Sequence, residues 1–271
     1  MTFQEYRAAP GINISRLKGF AISPAHAMQE KPDSESLALG RAAHCAILEP
    51  DAFESRFLVV PKVSRSTKEG KALWADAQIQ AASREIITDV DMELVDGMKS
   101  AVFASATARA ALIGEKEVPA FWELNGQPCK GLYDNWNREA CFITDLKTTK
   151  SAHPAKFQRD AFRSPLLYHW QGAWYTDGAE AITGQPHTFF IVAVESGKND
   201  KGSPRVHGVS VHVLEPDAIA QGREEYLKAL ADYQQCVSAG KFPAYPDALF
   251  KMCAPKWKDL TPNMEDDFDD N

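Results

Sequence analysis

Near the middle of the chain lies the sequence Gly131-Leu-Tyr-Asp-Asn-Trp-Asn-Arg-Glu-Ala-Cys-Phe-Ile-Thr-Asp-Leu-Lys147. Its pattern predicts two short strands, over about residues 130–136 and 140–147, that are joined by a tight turn. In the second strand Asp145 and Lys147 alternate with Thr144 and Leu146, which is the period of a β-strand. Asp145 and Lys147 therefore share one face, about 7 Å apart along the strand.

Whether Asp134 joins that face depends on the length of the turn. A loop of two residues (138–139) or four (137–140) would place Asp134 opposite Ile143 and diagonal to Asp145. The two backbones would then be about 7–8 Å apart, and the side chains could reach a common ion. A loop of three residues would turn Asp134 to the other face.

Two carboxylates beside a lysine predict a site for a hard divalent cation, with a neighbour that orients water. The alternative is that Asp134, Asp145 and Lys147 are ordinary charges on a solvated sheet face. Aspartate is disfavoured in strands, and two nearby carboxylates repel each other unless an ion neutralises them. The residues alone therefore favour the metal site.

Four segments resemble one family and follow one another in that family's order. Asp134 with Asp145-Leu-Lys147 is similar to the D…(D/E)-x-K core of the PD-(D/E)XK nucleases. More closely, the chain resembles the RecE-type exonuclease VIII branch of the RecB-like and lambda-exonuclease-like group, in the segments 39–50, 131–134, 145–149 and 171–175. The resemblance covers about residues 15–245. It implies an α/β fold of the restriction-endonuclease type, with a central mixed β-sheet flanked by helices.

The resemblance also implies a ligand set for two Mg²⁺ ions, for which Mn²⁺ can substitute. Asp134 would bind both ions. Asp145 and the carbonyl oxygen of Leu146 would hold the ion that carries the attacking water. His44, on a helix predicted over residues 35–48, would bind the second ion, which faces the leaving oxygen.

Three further residues have roles that come from the resemblance. Lys147 would orient the attacking water and stabilise charge at the phosphate. Gln171 and Tyr175 lie on a predicted helix that runs from Pro165 to about Ala181 and would brace the lysine or the substrate strand. Glu123, on a strand predicted over residues 116–124, is a secondary candidate near the site.

The implied activity is that of an exonuclease. Related enzymes are ring-shaped homo-oligomers that degrade one strand of linear double-stranded DNA from its 5′ end. They pass the exposed 3′ strand to a single-strand annealing protein of the RecT type. Two alternatives remain open: another PD-(D/E)XK nuclease, such as an endonuclease, and a non-catalytic module that binds DNA ends.

Bulk properties agree with a globular protein that contacts DNA locally. The net charge is −7, and the acidic C-terminal residues supply five of these charges. This argues against a protein that coats DNA with uniform positive potential. Candidate phosphate contacts are Lys18, Arg41, Arg65, Lys68 and Lys71, and Lys62 extends the densest basic stretch.

One nuclease domain is expected over about residues 1–260, helical to about residue 112 and built on the catalytic sheet from 113. An acidic, disordered tail is expected at 261–271. Five cysteines without a C-x-x-C pair indicate reduced thiols and no zinc or iron–sulfur site. No apolar run is long enough for a membrane helix and the N-terminus lacks a secretion signal, so a cytoplasmic location is expected.

Overall fold

A computed structural model describes residues 1, 3–29, 34–197 and 206–252. Its N-terminal part is mainly helical and contains two short strands: α1 (Phe3–Ala8), α2 (Ile14–Phe20), α3 (Pro24–Met28), α4 (Glu35–Leu48), a 3₁₀ turn (Pro50–Ala52), α5 (Phe53–Arg56), β1 (Phe57–Val60), α6 (Lys68–Ala81), β2 (Glu85–Thr88), α7 (Asp89–Ala104) and α8 (Ala106–Ala111). The remainder alternates strands and helices: β3 (Glu115–Leu124), β4 (Gln127–Asn137), β5 (Phe142–Thr149), α9 (Pro154–Ala161), α10 (Tyr168–Thr183), β6 (Thr188–Glu195), β7 (Val209–Val213) and α11 (Pro216–Ala239).

A five-stranded mixed sheet forms the centre, in the order β3-β4-β5-β6-β7. Strands β5 and β6 run parallel, and the other neighbouring pairs are antiparallel. The parallel step requires a crossover, and α9 and α10 supply it. Strands β1 and β2 form a separate two-stranded parallel sheet.

Helices cover both faces of the large sheet and bury two hydrophobic clusters. Alternate residues of β5 point to opposite faces, so Ile143 packs in the cluster with α2, α10 and α11, whereas Leu146 packs in the cluster with α4, α7 and α8. Burial of each large apolar side chain contributes about 1.5–3 kcal/mol. This mixed sheet with helices on both sides confirms the predicted fold class.

Local sequence signals explain several boundaries. Ser34 and Thr67 cap α4 and α6 with their side-chain oxygens, as these residue types do at helix starts. Asn125 and Gly126 both have positive φ and form the tight turn between β3 and β4. Gly240, at φ 64°, ends α11.

Several predicted boundaries were wrong. The helix expected to begin at Pro165 begins at Tyr168, because Leu167 lies at φ 43° and cannot continue a right-handed helix. The helical part, expected to reach about residue 112, ends in two separate helices, α7 and α8, because the backbone of Ser105 is extended and its hydroxyl caps α8. Strand β2 and helix α9 were not predicted.

The predicted acidic tail at 261–271 lies outside the described residues, as does Cys253. The other four cysteines are free thiols. Among the helices of the described ranges, none combines the length and the apolar character needed to cross a membrane. The predicted domain boundaries stay a prediction.

Candidate active site

The β4–β5 hairpin brings Asp134 and Asp145 together. Four residues, 138–141, separate the strands, and Asn135 pairs with Thr144. The same register, continued by one residue, places Asp134 opposite Asp145 and not opposite Ile143, as either the two-residue or the four-residue loop had predicted. The paired ladder ends at Asn135, so the strands part beside the two aspartates.

Strict alternation of side chains in β4 breaks at Asp134. Tyr133 and Trp136 are separated by three positions, yet both pack in the cluster under α10. The carboxylate of Asp134 extends into the gap between β4 and β5, where its Oδ2 accepts a hydrogen bond from the Leu146 backbone N–H at 2.7 Å. The N–H and C=O of one strand residue point towards the same neighbour, so the Leu146 carbonyl faces this gap too.

His44 lies on α4, which packs on the face of the sheet opposite to α10, and approaches Asp134 from that face. A Cβ added to Gly40 would lie 3.3 Å from the Thr148 hydroxyl, so this glycine lets α4 pack closely on β5. His44 follows one helical turn later on the same face. Its Nδ1 lies 3.6 Å from Asp134 Oδ2.

Glu117 completes this group and was missed by the sequence analysis. Ligand atoms of His44, Glu117 and Asp134 all lie within 4.8 Å of one another. Glu117 has φ 49°, a strained conformation for a residue with a Cβ, and such strain is concentrated at functional sites. The turn at Asn125–Gly126 was a usable signal, because its two-residue loop sets Glu117 opposite Asp134 in the β3–β4 register.

Glu123, the secondary candidate, is not part of this group. It pairs with Pro128 near the far end of the same hairpin. Its side chain is exposed. Six residues of strand separate it from Glu117, which corresponds to about 20 Å.

Burial and mutual repulsion favour the protonated forms of the clustered carboxylates. Burial, reinforced by the charges of Asp134 and Glu49, raises the pKa of Glu117 from 4.5 to about 8. Burial, together with the charge of Asp145, raises the pKa of Asp134 from 3.8 to about 6. A cation in this position would offset the repulsion that adds to the effect of burial on both pKa values.

A second set of contacts surrounds Asp145, which is 2% exposed. Its Oδ2 forms an ion pair with the Lys147 ammonium. Its Oδ1 accepts a hydrogen bond from Gln171 Nε2 at 2.6 Å, and Gln171 Oε1 in turn accepts one from Lys18 Nζ at 3.1 Å. Burial alone would lower the pKa of Lys147, but the charges of Asp145 and Asp134 outweigh burial and raise it.

The first turn of α10 forms one side of this network. Tyr168 lies below two ammonium groups, with Lys147 Nζ 5.3 Å and Lys18 Nζ 5.2 Å from its ring centroid. Cation–π contacts of this kind hold both lysines at the site. Tyr168 and Gln171, three residues apart on α10, therefore both face the strand that carries Asp145 and Lys147.

Tyr175 is buried. Among the described residues, no contact joins Tyr175 to Lys147. Its ring centroid lies 4.7 Å from that of Tyr133, and its backbone carbonyl accepts a hydrogen bond from the Tyr133 hydroxyl. A Cβ on Gly131 would lie 3.2 Å from the Tyr175 ring. Tyr175 therefore supports the strand that carries Asp134 by packing.

The predicted phosphate contacts have different locations. Lys18 lies in the network around Asp145, although the sequence analysis treated it only as a candidate phosphate contact. Arg41 forms a two-point ion pair with Glu85, and the Arg65 guanidinium lies 3.6 Å from the Trp74 ring centroid. Lys68 and Lys71 are exposed on α6, which packs against β1 and β2 and not against the catalytic sheet.

The donor set suits a divalent metal ion. Asp134, Glu117 and His44 offer carboxylate oxygens and an imidazole nitrogen, and Asp145 with the Leu146 carbonyl offers two more oxygens next to them. Carboxylate and carbonyl oxygens suit Mg²⁺ and Mn²⁺, whereas an imidazole is a ligand that suits transition metals. The convergence of ligand atoms of His44, Glu117 and Asp134 within 4.8 Å of one another is the observation that supports such an ion.

Comparison with known proteins agrees with this fold. The family model described as "PDDEXK-like domain of unknown function (DUF3799)" matches residues 13–251. No curated protein matches the chain. A crystal structure from Eubacterium rectale, described as "Putative exonuclease", shares 16% identity at a TM-score of 0.64, over 97% of this chain and 99% of that one.

A second solved structure, SSO0001, covers 85% of this chain and 96% of its own, at 12% identity and a TM-score of 0.30. That likeness is too low to support any conclusion. The Eubacterium rectale structure shares the fold, and the family model covers most of the sequence. The chain therefore belongs to the PDDEXK-like family DUF3799, within the PD-(D/E)XK superfamily.

Proposed function

We propose that this protein is a Mg²⁺-dependent deoxyribonuclease that degrades one strand of linear double-stranded DNA, in the 5′→3′ direction. The observation that carries the proposal is the convergence of Asp134, Asp145 and Lys147 with His44 and Glu117 at the point where β4 and β5 part. The PD-(D/E)XK fold supports the inference of nuclease activity.

In this proposal the ligands divide into two groups for two ions. Asp134, His44 and Glu117 would hold one ion, and Asp145 with the Leu146 carbonyl would hold the other, with Asp134 adjacent to both. When bound, such ions polarise a phosphoryl oxygen and make hydroxide available near neutral pH. Glu117 is an addition to the ligand set that the resemblance implied.

Lys147 acts as a fixed positive charge in this proposal. The carboxylates of Asp145 and Asp134 raise its pKa, so the ammonium stays protonated at neutral pH. A protonated lysine cannot accept a proton from water. Lys147 would therefore orient the attacking water and stabilise negative charge that develops on the phosphate.

Gln171 positions Asp145 and connects it to Lys18. Its amide donates to Asp145 and accepts from Lys18, so one side chain fixes the orientation of both. Lys18, above Tyr168, would contact a non-bridging phosphate oxygen of the bound strand. Tyr175 would keep β4 in place from below.

End dependence, strand polarity and assembly are finer parts of the proposal. The order of RecE-like motifs supports an exonuclease, and the solved relative is also described as one. The product would be a 3′ single strand for a RecT-like annealing protein. A ring-shaped homo-oligomer would keep a chain of net charge −7 on DNA.

A cytoplasmic location agrees with the free thiols of the described residues.

The test compares linear and covalently closed circular duplex DNA, each with Mg²⁺ and with EDTA. An exonuclease releases nucleotides from linear DNA and leaves the circle intact, because a circle has no end. Cleavage of the circle would instead identify an endonuclease. Binding to ends without hydrolysis of either substrate would identify a non-catalytic module.

A further inference from the structure

A basic segment that the sequence analysis did not single out follows directly after the catalytic strand. Residues 150–163, here called the α9 basic segment, carry four Lys or Arg residues against one acidic residue, Asp160. The basic side chains are all exposed: Lys150, Lys156, Arg159 and Arg163. Arg159 lies 3.6 Å from Asp160, so the segment keeps a clear positive excess in a chain of net charge −7.

The segment is connected to the active site at two points, Lys150 and Phe157. Lys150 follows Lys147 by three residues, which is at most about 10 Å of extended chain. The buried face of α9 presents Phe157, whose ring centroid lies 5.8 Å from that of Tyr168. Tyr168 is the residue below Lys147 and Lys18. One aromatic contact therefore separates α9 from the catalytic lysine.

The connection between β5 and α9 is held in place by the neighbouring strand. Ala152 N donates to Glu195 Oε1 at 2.8 Å, and Ser196 N donates to the Thr149 carbonyl at 2.9 Å. Phe157 and Ala161 are buried in the core under α10, so Lys156 and Arg159 project from the exposed face. Lys156 and Arg159 thus lie on an anchored helix, and Lys150 and Arg163 lie just before and just after it.

We propose that the α9 basic segment binds the phosphate backbone of the DNA next to the scissile phosphate. The inference rests on the proposed function for its choice of ligand. Lysine and arginine bind successive phosphates mainly by charge, and the contact between Phe157 and Tyr168 connects the segment to Lys147. By contrast, α6, which carries the densest basic stretch of the sequence, packs on the separate β1–β2 sheet.

The experiment compares two variants of the full chain that each lose three positive charges. One is Lys150→Gln, Lys156→Gln and Arg163→Gln. The matched variant is Lys228→Gln, Lys241→Gln and Lys251→Gln, which alters three exposed lysines of α11 and of the chain that follows it. Fluorescence anisotropy in EDTA measures affinity for a labelled duplex of about 12 base pairs, which is roughly 40 Å long, over a range of salt concentrations.

The α9 variant should bind the short duplex at least about tenfold more weakly than the unaltered protein. Its plot of log affinity against log salt should be shallower by about 0.9 for each phosphate that the altered side chains no longer bind. The matched variant should bind this short duplex within about twofold of the unaltered protein. Equal losses of affinity in both variants would show that only net charge matters and would overturn the proposal. An unchanged salt slope in the α9 variant would also overturn it.

Melting curves show whether the variants fold, and single substitutions Lys156→Gln and Arg163→Gln replace the triple variant if it does not. Each should lower the slope by about 0.9. A chain that binds DNA through α9 but releases no nucleotides with Mg²⁺ would refute the nuclease and leave this inference intact. A chain that cleaves DNA with an unaffected α9 variant would refute only this inference. Absence of any DNA binding would overturn both.

Discussion

The Nδ1 of His44 lies 3.6 Å from Oδ2 of Asp134, although ninety positions of sequence separate the two residues. The distance is too long for a good hydrogen bond. Both atoms, together with the Glu117 carboxylate, instead surround a common space. A helix packed on one face of the sheet thus supplies an imidazole to carboxylates that belong to two strands.

His44→Ala should therefore weaken metal binding and leave the fold intact. Loss of one ligand from a site of three or four should lower Mn²⁺ affinity at least about tenfold, with a parallel loss of Mg²⁺-dependent cleavage. Isothermal titration with Mn²⁺ measures the affinity, and anomalous scattering from Mn²⁺-soaked crystals locates the ion. An ion bound away from the His44 ring, or unchanged affinity, would contradict the ligand role.

Asp134→Ala and Asp145→Asn should each reduce cleavage of linear duplex by at least about 100-fold, because both carboxylates are proposed to hold the reacting metal ions. Asp145→Asn also leaves the Lys147 ammonium without its buried partner, at a cost of about 1–3 kcal/mol. Release of acid-soluble nucleotides and melting curves measure the two effects. Substantial activity in a folded Asp145→Asn protein would exclude the proposed assignment.

Gln171→Ala should lower the cleavage rate by about 10- to 100-fold, with a small change in melting temperature. The residue fixes both the Asp145 carboxylate and the Lys18 ammonium by hydrogen bonds, and neither alanine nor water reproduces that geometry. The companion substitution Lys18→Met keeps the side-chain volume over Tyr168 and removes the charge. If Gln171 acts through Asp145, its loss should lower kcat more than it raises KM, whereas Lys18→Met should mainly raise KM.

The stability of the metal-free protein should fall as pH rises, because the folded state raises the pKa of Glu117 from 4.5 to about 8. The folded protein then holds a proton that the unfolded chain has released. The resulting contribution is fully present below about pH 4.5 and is lost as pH rises through about 8. Melting temperatures in EDTA between pH 5 and 8.5 measure it.

Glu117→Gln is the matched control for this pH dependence, since glutamine keeps the shape and cannot ionise. Its melting temperature should vary less with pH than that of the unaltered protein, and the difference should be largest near pH 8. Mg²⁺ should stabilise the unaltered protein more than the variant. Parallel pH curves for the two proteins would show that Glu117 ionises as freely in the folded state as in the unfolded chain.

The protein should assemble into a closed homo-oligomer, the common form of soluble assemblies. Its inner surface should include some of Lys62, Arg65, Lys68 and Lys71. Light scattering determines the mass. After loading on DNA, a jump to moderate salt should block new binding while digestion continues, because a ring stays topologically linked. A monomeric mass, or digestion that stops at once on addition of salt, would oppose the ring and leave the chemistry unaffected.

Local sequence determined much of the architecture of this chain. Caps such as Ser34 and Thr67 act within one helical turn, and the Asn125–Gly126 turn acts between adjacent strands, so their effects are readable from neighbouring residues. Alternation in β5 likewise placed Asp145 and Lys147 on one face before any tertiary contact was considered. Resemblance to a family, and not local pattern, selected His44 from a helix where an isolated histidine carries no signal.

Only the tertiary structure decided the remaining relationships, because they join segments that are distant in sequence. The Asn125–Gly126 turn sets Glu117 opposite Asp134, but only the tertiary structure brings His44 within 4.8 Å of both. Lys18 reached Gln171 across 153 positions through the packing of α2 on α10. The phenyl ring of Phe157 fixed the α9 charges beside Tyr168. Such contacts depend on which faces of the helices and strands bury their apolar surface against each other. That arrangement is a property of the whole core and cannot be read from a short stretch of sequence.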